Sequence, residues 1–293
     1  MNEWRKWEIK TLKTEDFPDG LKRVAPKVKP LYYRGNWDNH LFDKAVAVVG
    51  SRRMTKYGQV MTEKLAGGLA ERGYTIVSGF MYGVDKAAHK ICLAKGGKTV
   101  AVLGSGLDCL TPAENDSLYT QILEKGGLVV SEFPAKQEAR LWSFPYRNRI
   151  VVGLSQLILV IEAGEKSGTL VTARWAFRQK KKVLAVPGAV TAELSSGTNW
   201  LIKNGAILVR NVNDVLEELG EECSASREQR LVVSGEEKEI INLLKFEEME
   251  ADELSRKLGK SITKINILLS ELCLKGVVEE SGNKFMLGLS NAN

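Results

Sequence analysis

Cysteine and histidine are scarce in this chain. Four cysteines, Cys92, Cys109, Cys223 and Cys273, stand singly among 293 residues, without CxxC spacing. That pattern excludes a disulfide framework and a zinc knuckle. Two histidines, His40 and His89, leave few possible centres for a nucleophile–His–acid triad and make a structural zinc site improbable. No segment stays apolar for the eighteen or so residues that a membrane span needs. The opening MNEWRKWEIK lacks the apolar run of a signal peptide. The expected location is the cytoplasm, with no metal and no cofactor.

The common nucleotide motifs are missing as well. GSGLDC (104–109) has two glycines of a GxGxxG pattern but a cysteine in place of the third. GGKT (96–99) fails as a P-loop, because Cys92 occupies the first glycine position and the segment precedes a strand instead of following one. ATP hydrolysis is therefore rejected.

What is present is an ordinary globular composition, 44% hydrophobic and 27% charged, with a net charge of +6 that is unevenly spread. Residues 1–210 carry 32 Lys and Arg against 19 Asp and Glu, a net +13. Residues 211–234 carry net −4 and residues 235–293 net −3. A basic body with an acidic tail suits a polyanionic ligand. The alternative is a well-solvated, lysine-rich surface.

From Lys44 onward, short β-branched runs alternate with helical stretches: KAVAVVG (44–50), YTIVSG (74–79), KTVAVLG (98–104), LVVSE (128–132), QLILVIEA (156–163), KKVLAVPG (181–188) and AILV (206–209). Nearly continuous apolar strands are expected where helices cover both faces of a parallel sheet. Segments such as 61–73 and 172–179 show helical apolar spacing. The predicted class is α/β, a doubly wound Rossmann-like sheet over 44–220. Residues 1–43, rich in lysine and proline, read as an irregular arm packed on it, and 221–234 as a polar linker ending near Ser234. Beyond it, three helical stretches (236–246, 251–259, 261–276) and a hairpin turning at SGN form a winged helix-turn-helix over 235–293. Its simplest use is DNA contact. Its acidic balance weakens that use, since Lys260 and Lys264 are the only cations at the start of the groove-reading helix, and leaves DNA contact and protein contact both open.

In an open α/β sheet, ligands bind at the carboxyl ends of the strands. Those ends read Gly50-Ser51-Arg52-Arg53, Ser78-Gly79, Gly104-Ser105-Gly106, Ser131-Glu132, Glu162 to Thr169, and Pro187-Gly188. Small residues let backbone N–H groups approach an anion, and a helix N-terminus adds its positive dipole end. The predicted pocket is phosphate-sized and lined by Arg52, Arg53 and Lys166, with Ser167, Gly168 and Thr169 beside them. For any single glycine, a tight turn is the competing explanation. Asp85 and His89, four residues apart on one helix face, are expected to contact each other and pin the helix start. In FPYRNRIVVGLS (144–155), Pro145 suits a first helical turn. Arg147 and Arg149 lie about 200° apart around that helix, so one faces the pocket and the other anchors the turn, with the choice open. Asn148 is expected to satisfy backbone groups at the helix entrance.

These stretches, with LYYRGN (31–36), SGFMYGVD (78–85), VLGSGLDCLTPAEN (102–115), SEFP (131–134), VIEAGEKSGTLVTA (160–173), VLAVPG (183–188) and GTNWLIKNGA (197–206), resemble the DNA-processing protein family DprA, or Smf, in order and over roughly 31–210. The resemblance implies a non-enzymatic, homodimeric protein that binds single-stranded DNA. It further implies that the protein passes that DNA to the recombinase RecA past single-strand binding protein during natural transformation. It casts Arg52 as the phosphate-binding arginine, Lys166 as the pocket lysine, and Arg147 and Arg149 as the basic rim. Met81, Tyr82 and Thr111 depart from the family pattern, and Tyr82 offers a stacking face for a base. The competing expectation is a Rossmann-like phosphoribohydrolase acting on nucleoside monophosphates. Here Thr172 or Ala173 falls where its acid belongs, leaving Glu162 and Glu132 as substitutes.

Overall fold

The computed structural model describes residues 3–221, 235–245, 247–274 and 277–287. The chain forms two compact units, Met1–Glu222 and Cys223–Asn293. The linker read at 221–234, with its boundary near Ser234, lies outside the described residues except for Glu221.

The larger unit is built on nine strands: β1 (Lys10–Leu12), β2 (Leu31–Gly35), β3 (Ala45–Val49), β4 (Thr75–Ser78), β5 (Thr99–Val102), β6 (Leu128–Ser131), β7 (Leu157–Val160), β8 (Val183–Ala185) and β9 (Ile207–Leu208). Its helices are α1 (Asp19–Lys22), α2 (Lys56–Glu71), α3 (Val84–Ala94), α4 (Asp116–Glu124), α5 (Ser143–Gly153), α6 (Gly168–Arg178), α7 (Ser196–Lys203) and α8 (Val212–Glu218). The order across the sheet is β1-β2-β6-β5-β4-β3-β7-β8-β9. Every pairing from β6 to β9 is parallel. The five residues of β3 are all buried, as a strand covered on both faces requires. One apolar cluster, including Ala45, Ala47, Val100, Ile150 and Ile158, packs on one set of strand positions, and another, including Ala101, Leu118, Tyr119 and Val129, on the alternate set.

The arm expected to be irregular contributes two strands. β2 pairs antiparallel with β6, Arg34 opposite Val129, and β1 continues the sheet outward. The physical reason is the exposed flank of β6, whose unpaired backbone groups β2 satisfies. Side chains lock it there. Buried Arg34 donates to the Trp7 carbonyl at 2.9 Å, the Leu107 carbonyl at 2.8 Å and Asp108 at 2.8 Å, and the Trp4 indole N–H donates to Asp116 at 2.6 Å.

The smaller unit comprises α9 (Gly235–Leu244), β10 (Met249–Glu250), α10 (Ala251–Leu258), α11 (Ile262–Leu274), β11 (Val278–Ser281) and β12 (Lys284–Leu287). Ser281 pairs with Lys284 across a two-residue Gly282-Asn283 turn, and Gly282 takes φ +65° at its first position. Ile240, Leu254, Ile265, Leu269 and Leu272 form a separate core. This is a winged helix. Among the described residues, no helix is long and apolar enough to cross a membrane.

Candidate nucleic-acid interface

Strand order reverses between β3 and β7: the chain runs β3 to β6 toward one edge and β7 to β9 toward the other. A crevice opens at such a switch point, beyond the carboxyl ends of the two strands. Here it is a cleft of about 860 Å³ bounded by the β3–α2 turn, the β7–α6 turn and one side of α5.

Each turn is fixed locally. The Ser51 hydroxyl accepts from the Arg53 N–H at 3.1 Å, and the Ser51 carbonyl accepts from the Val84 N–H at 3.2 Å, so Arg52 and Arg53 ride on a held loop. Ser167 caps α6, its Oγ accepting from the Thr169 N–H at 3.1 Å. Gly168 opens the helix, and a Cβ there would meet no atom within 4 Å; the Thr169 N–H is held by Ser167 Oγ and the Leu170 N–H by the Ser167 carbonyl at 3.1 Å, so the Gly168 amide is the one left open to an incoming anion.

Arg52, Arg53 and Lys166 are exposed at the cleft, and no ion pair among the described residues uses any of them. The Arg52 guanidinium lies 5.3 Å from the centroid of the Phe144 ring. Three cations outside any ion pair among the described residues, the Gly168 amide at a helix N-terminus and an aromatic wall suit phosphate and base together. Asp85, Glu165 and Glu193 also line the cleft, set against Arg52, Arg53, Arg147 and Lys166.

Of the residues expected at this site, the cleft brings together Gly50, Ser51, Arg52, Arg53, Gly79, Arg147, Asn148, Lys166, Ser167, Gly168 and Thr169. Two expectations are corrected. Ser78 is buried, its hydroxyl donating to the Val48 carbonyl at 2.6 Å, because a β4 terminus between two central strands turns its side chain into the sheet layer. Arg149 is fully buried and pairs with Glu132 at 2.6 Å, so it is the anchor of α5 and not part of the rim.

Arg147 reaches the cleft floor but is itself buried, donating from Nη1 to the Gly79 carbonyl at 2.7 Å and to the Val102 carbonyl. Burial pulls its pKa down to about 10 against the attraction of Asp85, and burial likewise holds Asp85 above the usual carboxylate range. Asn148 bonds side chains instead of backbone: its Oδ1 accepts from Arg147 Nε at 3.1 Å and its Nδ2 donates to Thr172 at 2.9 Å. The reason is that α5 begins at Ser143, so Asn148 already sits inside the helix.

The expected Asp85–His89 contact does not form. Asp85 accepts from the Met81 N–H at 3.3 Å, while His89 Nδ1 bonds Thr99 at 2.6 Å and its Nε2 has no partner. Tyr82 does not line the cleft, and its hydroxyl donates to Glu114 at 2.8 Å. Leu141, Phe144, Leu194 and Ser196 line it without having been expected. Phe144 was visible as the first residue of the FPYRNR stretch. The other three follow strands β6 and β8 by loops whose path no local pattern reveals.

Both candidate acids of the hydrolase reading are consumed. Glu162 accepts from the Thr55 N–H at 3.0 Å and from the Thr55 hydroxyl. Glu132 holds Arg149 and the Lys29 N–H at 2.6 Å. Neither lines the cleft, and Thr172 is occupied by Asn148. No group of three or more His, Cys, Asp or Glu among the described residues is placed to hold a metal.

In the winged helix, the cations preceding and opening α11 are tied to α9. Lys260 pairs with Glu239 at 2.5 Å and Glu236 at 3.7 Å, and Lys264 with Glu236 at 3.0 Å.

Compared with known proteins, residues 8–220 match the family model of DNA recombination-mediator protein A. The chain belongs to that family. The DprA winged helix domain matches residues 225–283. Protein Smf of Escherichia coli is 42% identical over 206 residues, covering 70% of this chain and 55% of that protein. DNA processing protein DprA of Streptococcus pneumoniae is 40% identical over 216 residues, 74% of this chain and 76% of that one. The chain spans about half the length of the Smf relatives it matches, 55% in Escherichia coli and 52% in Synechocystis. The crystal structure of the Streptococcus pneumoniae DprA superposes with a TM-score of 0.67 at 39% identity, covering 74% of this chain and 75% of that one. DNA processing protein A of Helicobacter pylori, solved for its single-stranded DNA binding mode, superposes with a TM-score of 0.65 at 32% identity, covering 73% and 96%.

Proposed function

We propose that this chain is a single-stranded DNA-binding recombination mediator. Its cleft holds consecutive phosphates on Arg52, Arg53 and Lys166 and on the Gly168 amide that opens α6, and Phe144 faces the bases. The observation that carries the reading is the set of three exposed cations, unpaired among the described residues, at the topological switch point. Membership in the recombination-mediator family and the single-stranded DNA binding of the Helicobacter pylori relative support it. The finer role follows the family: a cytoplasmic homodimer that shields incoming single strands, relieves them of single-strand binding protein and hands them to RecA during natural transformation. None of this needs a catalytic residue, since positioned charge and stacking suffice.

The test is equilibrium binding of the full chain to single- and double-stranded oligonucleotides across a salt series. Arg52→Ala with Lys166→Ala weakens single-strand binding whatever the sequence and flattens the log–log salt slope by about 0.7 per lost phosphate contact. Unchanged affinity in a double variant that remains folded refutes the assignment. Recombinase loading is read separately, as RecA filament formation on strands pre-coated with single-strand binding protein.

A further inference from the structure

Beside the cleft, the loop between β6 and α5 carries two consecutive large apolar residues in water. Leu141 is 92% exposed and Trp142 is 51% exposed. Scattered apolar side chains on a surface need no explanation. This pair is different, because Leu141 lines the cleft and the half-exposed Trp142 is its immediate neighbour in the chain.

The pair is also rigidly presented. Ser143 closes a tight turn beneath it: its N–H donates to the Arg140 carbonyl at 2.9 Å, and its Oγ accepts from the Arg140 N–H at 3.0 Å while donating to the Gly104 carbonyl. Farther back, the loop is tied to the neighbouring strand end by Gly106 N–H to the Gln137 carbonyl and Asp108 N–H to the Ala135 carbonyl, both at 2.8 Å. Trp142 is braced by Phe133 at 5.8 Å and Tyr146 at 6.0 Å, both near perpendicular. Tyr146 in turn rests on the Arg149 guanidinium, 4.1 Å from its centroid, and Arg149 is held by Glu132. The indole thus stands on a chain of contacts rooted in a buried ion pair. Two exposed cations, Lys136 and Arg140, lie on the same loop with exposed Glu138 between them, and neither cation enters an ion pair among the described residues.

We propose that Leu141 and Trp142 form a stacking platform for one unstacked base of the strand whose phosphates lie in the cleft. The inference rests on the single-strand reading above and adds a base site at the rim of the cleft, apart from its phosphate contacts. Continuity with the cleft selects the occupant: a strand leaving Arg52 and Lys166 passes this rim, with Lys136 and Arg140 beside its phosphates. Every base offers a π-face, so the site is indifferent to sequence. A duplex keeps its bases stacked inside and cannot use it. The platform therefore separates single from double strands, which the phosphate contacts alone do not.

The experiment measures binding of the full chain, Trp142→Ala and Trp142→Phe to an oligothymidylate of about 20 nucleotides and to an abasic chain of equal length, over a salt series. Trp142→Ala weakens oligothymidylate binding about 5- to 30-fold, while Trp142→Phe stays within about 3-fold of wild type. Abasic-chain affinity and both salt slopes are unchanged. Should Trp142→Ala fail to fold, the fluorescence arm decides: wild-type emission is quenched by oligothymidylate, and Trp142→Phe loses much of that quenching. The proposal is overturned if Trp142→Ala binds oligothymidylate like wild type, if it loses both ligands equally, or if Trp142→Phe keeps the full quenching. An altered assembly state of the free protein with oligothymidylate affinity intact also overturns it, in favour of a protein contact. Failure of the cleft reading itself looks different, since wild type then shows no salt-dependent binding to either chain.

Discussion

Arg149 and Glu132 form a buried ion pair inside the larger unit, two oxygens of one carboxylate accepting from one guanidinium nitrogen at 2.8 and 2.6 Å. Glu132 lies just past the end of β6 and Arg149 in the middle of α5, so the pair fastens the helix to the sheet. Arg149 Nε and Nη1 are buried without partners, so the pair is incompletely compensated. Removing one member leaves a bare buried charge. Arg149→Met should therefore cost about 3–5 kcal/mol in urea unfolding, with part recovered in Glu132→Gln/Arg149→Met. The salt slope of oligonucleotide binding per folded molecule should stay at the wild-type value, because Arg149 holds no phosphate, which separates this arginine from Arg52.

The two arginines of FPYRNR show where sequence reasoning stops. The helical period separates Arg147 from Arg149, and the structure puts them on different partners. Which one meets the cleft depends on Glu132, delivered from another strand end, and on carbonyls of Gly79 and Val102. Residue type announces a cation but not the acceptor that a distant segment supplies. The parallel strands were legible for the opposite reason: burial on both faces writes itself into AVAVV and LILV as unbroken apolar runs. The N-terminal strands of three and five residues carry no such run. LYYRG becomes a strand because the flank of β6 needs a partner, and KTL because β2 then offers an open flank of its own.

His89 gives an acid-sensitive stability. The Thr99 hydroxyl donates to the Ile76 carbonyl at 2.6 Å, so it accepts from His89 Nδ1–H, and Nε2 is left bare near the Phe80 ring. A proton on Nε2 would have no acceptor, and burial pulls the pKa from 6.5 to about 3. The unfolded chain thus binds a proton that the folded one refuses. Stability from this group is complete above about pH 6.5 and falls as pH drops toward 3, by at most about 1.4 kcal/mol per pH unit. Asn at position 89 keeps a donor for Thr99 without titrating. The difference in unfolding free energy between wild type and His89→Asn should slope through this window and level off above it.

Two glycines of the cleft should answer differently to a methyl group. At Gly79 a Cβ would lie 2.6 Å from Asp85 Oδ2 and 2.8 Å from Arg147 Nη2, both held by their own bonds, so Gly79→Ala should destabilise by about 1–3 kcal/mol. At Gly168 a Cβ meets nothing, and alanine favours a helix start over glycine. Gly168→Ala should therefore hold or raise the melting temperature while weakening oligonucleotide binding about tenfold, the scale of one charge-assisted hydrogen bond. Calorimetry and binding on the same two proteins separate turn geometry from ligand approach.

The winged helix should contribute little phosphate binding through α11. Lys260 and Lys264 are the cations a groove-reading helix would offer at its start, and both are already engaged by Glu236 and Glu239 of α9. Using them on DNA would mean breaking three ion pairs and bringing two carboxylates against the phosphates. The neighbouring exposed side chains of α11 include Ile262 and Ile267, which offer phosphates nothing. Lys260→Ala/Lys264→Ala in the full chain should leave affinity for single strands and duplexes within about twofold of wild type, with the salt slope unmoved. A drop in the duplex slope by about 0.9 per lysine would instead place α11 on the phosphate backbone. Two carboxylates of α9 against two lysines leave neither lysine free, so the acidic balance of this unit acts at the helix where charge would have to be positive.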